Sequence, residues 1–226
     1  MGSHKVNFFP GPKNSLAFLE PVVAMTFKVV ERYLEYSCRD GYLADRPYAF
    51  NERATLSLFT GGVWQSDKRN LVLEEYTSVK TAGSSPYKGR DDMWFYVDGK
   101  TCYAEAKQQW ISTRKPNLKK ATHTLNSEYL NAKANNRGAD VSLGILFLIP
   151  YLTANQRARP RVYLDAYYAK VASDLAGFAS ANAYQIIWGR FLDERFLEPD
   201  AFCCPGKYNA DHSHPGFEII LCTESK

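Results

Sequence analysis

The chain has 226 residues, of which 45% are apolar and 23% charged. That balance excludes bulk disorder and a fibre, and the length suits one enlarged α/β domain. The net charge of +4 permits a polyanionic partner without demanding one, and five cysteines, two of them adjacent, argue against a disulfide framework.

The opening residues Met1, Gly2, Ser3 and His4 read as an expression scar outside the fold, and no secretory signal follows them. Over residues 15–36, Val23, Phe27, Val30 and Leu34 recur at helical spacing and predict a first helix. A second helix is expected over 51–64, with Gly61 and Gly62 as its stop. Strands follow at 71–80, 91–97 and 100–110, and Asp98-Gly99 between the last two is a strong hairpin signal. Beyond Pro116 a helical stripe runs through Leu118, Thr122, Leu125, Tyr129 and Ala132. Residues 141–152 read as a fully buried strand, and 143–149 form the longest apolar run, far short of a membrane span. Another helix carries Leu164, Tyr168, Val171, Leu175 and Phe178; then come a strand at 184–188, an irregular stretch at 193–216 and an edge strand at 217–223. This order predicts a mixed α/β sandwich with helices on both faces of a central sheet.

The chemistry concentrates on the hairpin. With a two-residue turn Val97 pairs with Lys100, and counting back sets Asp92 opposite Glu105, about 5 Å apart on one face. Lys107 shares that face by strand periodicity, whereas Asp91 is assigned to the other, opposite Ala106. Directly opposed carboxylates repel, and a divalent cation removes the conflict. Lys107 could then orient or deprotonate a water, or neutralise charge on a phosphate. A solvated hairpin face with a Glu–Lys pair is the plainer alternative.

The pattern Asp92, twelve residues, then Glu105-Ala106-Lys107 across a hairpin resembles the PD-(D/E)XK nuclease superfamily. The resemblance implies a restriction-endonuclease-like fold, an α-β-β-β-α-β core at about 51–152 with a central mixed sheet flanked by helices. The whole chain, 1–226, would be a single domain, with the helix at 15–36 and the segment 160–226 as additions to that core. Asp91 stands where the motif has proline. The resemblance further implies a Glu on the preceding helix, the position of Glu52, on one stripe with Leu56, Phe59 and Val63. An acid there is also favoured by the helix dipole alone. Glu74 and Glu75 are competing acids, and Gln109 shares the strand face of Glu105 and could hold a water or phosphate oxygen.

Arg114, Lys115, Lys119 and Lys120 form a basic cluster just after the hairpin and suit phosphate contacts, as a solvated helix face also would. Arg157, Arg159 and Arg161 form a second such loop. The 15 tyrosines and four tryptophans could stack bases, although core and rim absorb most of them. Cys203, Cys204, His212, His214 and Cys222 invite a zinc reading, but their spacing fits no common zinc pattern and zinc is not favoured. His123 is read as surface packing. No phosphate-binding glycine loop, dinucleotide fingerprint or serine elbow is present.

The expectation is therefore a metal-dependent nuclease hydrolysing phosphodiester bonds, in DNA rather than RNA, with Mg2+ or Mn2+ as cofactor. By the resemblance, Asp92, Glu105 and the Ala106 carbonyl would ligate the metal, Lys107 would assist the attacking water, and Glu52 would complete or orient the site. Restriction, phage defence, repair and secreted antibacterial roles all fit. The expected setting is cytoplasmic and away from membranes, and a homodimer is compatible. The rival reading is a non-catalytic nucleic-acid- or protein-binding module retaining the fold. A third is a small-ligand or redox protein built on the C-terminal Cys/His region.

Overall fold

In a computed structural model, residues 2–11, 13–37, 46–82, 85–197 and 212–225 are described, excluding the side chains of 78–88, 196 and 212. The chain opens with strand β1 (Gly2–Phe9) and a 3-10 turn at Ala17–Leu19, then helices α1 (Glu20–Ser37) and α2 (Glu52–Ser66). Strands β2 (Leu71–Ala82), β3 (Ser85–Val97) and β4 (Lys100–Ser112) follow, then helix α3 (Leu118–Asn135) and strand β5 (Val141–Thr153). Helix α4 (Pro160–Asn182), β6 (Tyr184–Asp193), the short β7 (His212–Ser213) and β8 (Gly216–Glu224) complete it.

The strands form one mixed sheet in the order β1-β6-β8-β5-β4-β3-β2, with β7 attached to β5. β4 and β5 are parallel and joined through α3; the other pairings are antiparallel. Helices α1 and α2 cover one face through Phe27, Phe59, Phe95 and Phe147. Helices α3 and α4 cover the other through Leu125, Leu146, Tyr167 and Val171. The molecule is thus a mixed α/β sandwich with helices on both faces.

Several expectations are corrected. Residues 2–4 lie within β1 and pair with β6, so they belong to the sheet rather than outside the fold. This extra partner also carries β6 to Asp193, beyond the expected end at 188. Helix α2 runs through Gly61 and Gly62 to Ser66. A Cβ at Gly62 would collide with Thr26 Oγ1 and lie 2.9 Å from the Thr26 backbone, so the glycine permits close packing on α1 rather than stopping the helix. The segment expected as an edge strand is β8, which lies between β6 and β5 and is buried from Gly216 to Cys222. Its run Phe-Glu-Ile-Ile-Leu-Cys is apolar on both faces except at Glu218, as an interior strand requires. Some of the stretch expected to be irregular is ordered, as a 3-10 turn at Glu194–Leu197 and as β7.

Candidate functional site

Asp98 and Gly99 both have positive φ, 49° and 77°, which is the twist a two-residue hairpin requires. The ladder then runs as counted, from Val97↔Lys100 to Met93↔Ala104, and ends there. Beyond that point β3 stays with β2, while β4 follows β5 out to Ser112. The two strands diverge a single pair short of Asp92 and Glu105.

A diverging strand leaves donors on its open edge, and buried backbone donors need partners. Two carboxylates supply them. Ala106 N–H donates to Asp92 Oδ2 at 2.8 Å, and Gln108 N–H donates to Glu52 Oε2 at 3.1 Å. Glu52 sits in the first turn of α2, whose cap Asn51 accepts the Ala54 N–H. Its carboxylate also holds Lys107 Nζ at 3.1 Å. The predicted residues Asp92, Ala106, Lys107 and Glu52 are thereby brought to one fork in the sheet.

Glu105 is buried and accepts from the Tyr103 hydroxyl at 2.9 Å. The same hydroxyl reaches Asp91, itself buried. Asp91 therefore shares the neighbourhood of Glu105, against the assignment to the opposite face. The cause is local: Glu75 has φ of 50°, and Glu75 and Asp92, which would face each other, drop out of the β2–β3 ladder. The pleat is interrupted there, and strict alternation no longer applies past Asp92.

Helix α3 contributes an acid that the strand count could not find. A Cβ at Gly144, the β5 residue paired with Glu105, would lie 2.6 Å from Tyr129 N and 2.7 Å from Leu125 O. The missing side chain lets the α3 backbone settle onto the sheet beside Glu105. Burial raises the Glu128 carboxyl above its ordinary value; Lys107 opposes the rise, and the charges of Asp92 and Glu105 add to it. For Lys107, burial lowers the pKa, but the bond to and charge of Glu52 outweigh it, with Glu128 and Asp92 adding, so the net shift is upward. Tyr76 is pushed up to about 12 by burial and by Asp91 and Glu105, with Arg137 opposing. Tyr103 is raised further by burial, its bond to Asp91 and the charge of Glu105.

The remaining predicted residues lie elsewhere. Glu75 is tied to Arg53 at 2.8 Å and Arg90 at 3.6 Å, and Glu74 accepts from Ser57 and Thr60. Gln109 is half-buried on β4 with Leu148 opposite, while its neighbour Gln108 accepts from Thr55. Arg114, Lys115, Lys119 and Lys120 are all exposed where β4 passes into α3, as is His123 on that helix. Arg159 and Arg161 are exposed and Arg157 half-buried. Cys203 and Cys204 lie outside the described residues, as does the His212 side chain. His214 packs edge-on to Trp110 at 4.6 Å, and Cys222 is buried with its thiol pushed up. Among the described residues no group of three or more His, Cys, Asp or Glu side chains is arranged to hold a metal ion. No described helix is long and apolar enough to cross a membrane.

No family model matches the chain, and no curated protein or solved structure matches it.

Proposed function

We propose that the chain is a metal-dependent phosphodiesterase of nuclease type, with DNA as its favoured substrate and a PD-(D/E)XK-like core in α2, β2, β3, β4, α3 and β5. The observation that carries this reading is the fork between β3 and β4. There Asp92 caps Ala106, Glu52 caps Gln108 and holds Lys107, and buried Glu105 lies between them in the chain. A purely structural hairpin would have continued its ladder and would not set acids beside one another in a partly buried place.

The donor set suits a hard divalent cation. Magnesium is commonly held by one or two carboxylates with water and phosphate oxygens completing its shell, so a pair is enough where, among the described residues, no group of three is arranged to hold an ion. Asp92, Glu105 and the Ala106 carbonyl would hold it. When bound, such an ion polarises the phosphodiester and lowers the pKa of a coordinated water. Hydrolysis joins the water oxygen to phosphorus, breaks one P–O ester bond and leaves the proton on the departing oxygen.

The chain's own residues assist in distinct ways. Lys107 has a raised pKa, so it is an ammonium at neutral pH. It would donate hydrogen bonds to the attacking water or to a phosphate oxygen. Glu52 is a positioning residue that fixes the ammonium at the fork. Arg114, Lys115, Lys119 and Lys120 offer an exposed backbone-binding surface.

The test is cleavage of plasmid, single-stranded DNA and RNA with Mg2+ or Mn2+ and with chelator. Wild type should cleave only with metal, and Lys107→Ala should lower turnover by about two orders of magnitude or more. Glu105→Gln should abolish cleavage. Binding without cleavage of any substrate, unaltered in both variants, would instead indicate a non-catalytic nucleic-acid-binding module.

A further inference from the structure

Next to the fork, the outer face of β2 and β3 carries a strip of large apolar and aromatic side chains. Leu71 pairs with Tyr96 and Leu73 with Trp94, and Trp94 pairs with Tyr103 on β4. Their strand neighbours Val72, Met93 and Phe95 point into the α1–α2 core, so these residues point away from it. Among the described residues, neither α3 nor α4 packs substantially on β2 or β3. Leu71 and Leu73 are 52% and 56% exposed, and Trp94 and Tyr96 are half-buried. Large exposed apolar groups gathered on one face mark a contact surface.

The strip is continuous with the acids. Asp92, Trp94 and Tyr96 follow one another at the two-residue strand repeat of about 6.8 Å, running from the fork toward the hairpin turn. Cations stand at both ends. Lys107 is at the fork, paired with Glu52, and Lys68 and Arg69 precede β2, where Arg69 is forked onto Asp67 and Lys68 is exposed. Flat rings in a row, flanked by cations and ending at carboxylates, match a strand of nucleotides with unpaired bases. Each base has a face to stack, and the backbone needs positive charge beside it. A duplex offers no such faces, because its bases already stack on one another.

We propose that this face is the binding track for single-stranded nucleic acid, with bases stacked on Trp94 and Tyr96, lined by Leu71 and Leu73, and the backbone running toward Asp92 and Glu105. The inference rests on the phosphodiesterase reading of the fork and assigns its substrate class.

Binding of a fluorescein-labelled oligothymidylate, and of a duplex of equal length, is measured by anisotropy in chelator so that hydrolysis plays no role. The single strand should bind more tightly than the duplex. Trp94→Ala should weaken single-strand binding about tenfold or more, and Trp94→Phe should retain it and report an intact fold. Leu73→Ser, at an exposed position, should weaken it without a change in thermal stability. Unchanged single-strand affinity in Trp94→Ala would overturn the proposal, as would tighter binding of the duplex. So would conversion by Trp94→Ala of a sedimenting dimer to a monomer, which would make the face a contact between copies of this chain. Because binding is read in chelator, its loss in Trp94→Ala supports the track even where metal restores no cleavage. Metal-dependent cleavage with unchanged binding in Trp94→Ala would sink the track and leave the phosphodiesterase reading standing.

Discussion

The Tyr103 hydroxyl has one hydrogen and two carboxylate neighbours, Asp91 and Glu105. Two buried carboxylates that meet at one hydroxyl repel each other, so a cation at this point should stabilise the cluster. Melting curves with and without Mn2+ check this: at about 100 times its dissociation constant, an ion bound only by the folded chain adds about 2.7 kcal/mol. The rise should vanish in Glu105→Gln and in Asp92→Asn. Tyr103→Phe removes a buried donor and should destabilise the metal-free protein by about 1–3 kcal/mol. Its melting point should then rise more on metal addition than that of wild type, since the cation takes over some of the lost hydrogen bonding. Equal rises in Tyr103→Phe and wild type would show that the hydroxyl and the ion do not share the same carboxylates.

Local features of the hairpin were legible from residue order alone. Asp98-Gly99 set the turn and the turn set the register from Val97↔Lys100 to Met93↔Ala104, but the ladder stops one pair short of the expected pairing of Asp92 with Glu105. Counting failed where tertiary structure intervenes. The left-handed Glu75 broke the alternation that placed Asp91 on the wrong face, and no spacing rule links Glu128 on α3 to the hairpin that precedes it. β8 was expected at an edge, yet sheet order is set by burial, and its apolar run belongs between β5 and β6. The element that couples these levels is the contact between α3 and β5. Gly144→Ala would put a methyl group 2.6 Å from Tyr129 N, so helix or strand must shift. Such overpacking costs about 1–3 kcal/mol. It should also displace α3 or β5 beside Glu105, so turnover should fall in a variant that still melts cooperatively. Full activity in a destabilised Gly144→Ala protein would show that the position of α3 does not matter to the fork.

At the scale of the whole molecule, one buried acid adds polar ties between helix α4 and the sheet to the apolar packing there. Glu218 on β8 is fully buried and accepts from Tyr167 on α4 and from Trp188 Nε1 on β6, the latter at 2.6 Å. Burial raises its pKa to about 7 from 4.5, against the two hydrogen bonds and the charge of Arg190, which favour the ionised form. The folded protein therefore binds a proton that the unfolded chain releases near pH 4.5. Between that value and about 7 the folded state holds more protons, so stability falls as pH rises through the window. The group's contribution is complete below the lower value and lost above the upper one, a difference of about 3 kcal/mol. Glu128, also raised, acts with the same sign. Melting measured from about pH 4.5 to 7.5 should thus show a declining midpoint, and Glu218→Gln, which keeps an acceptor without the charge, should flatten most of the decline. An undiminished slope in that variant would move the origin of the pH dependence to groups outside this core. A flattened slope with unchanged cleavage at neutral pH would separate the acid that ties the layers together from the acids that form the fork.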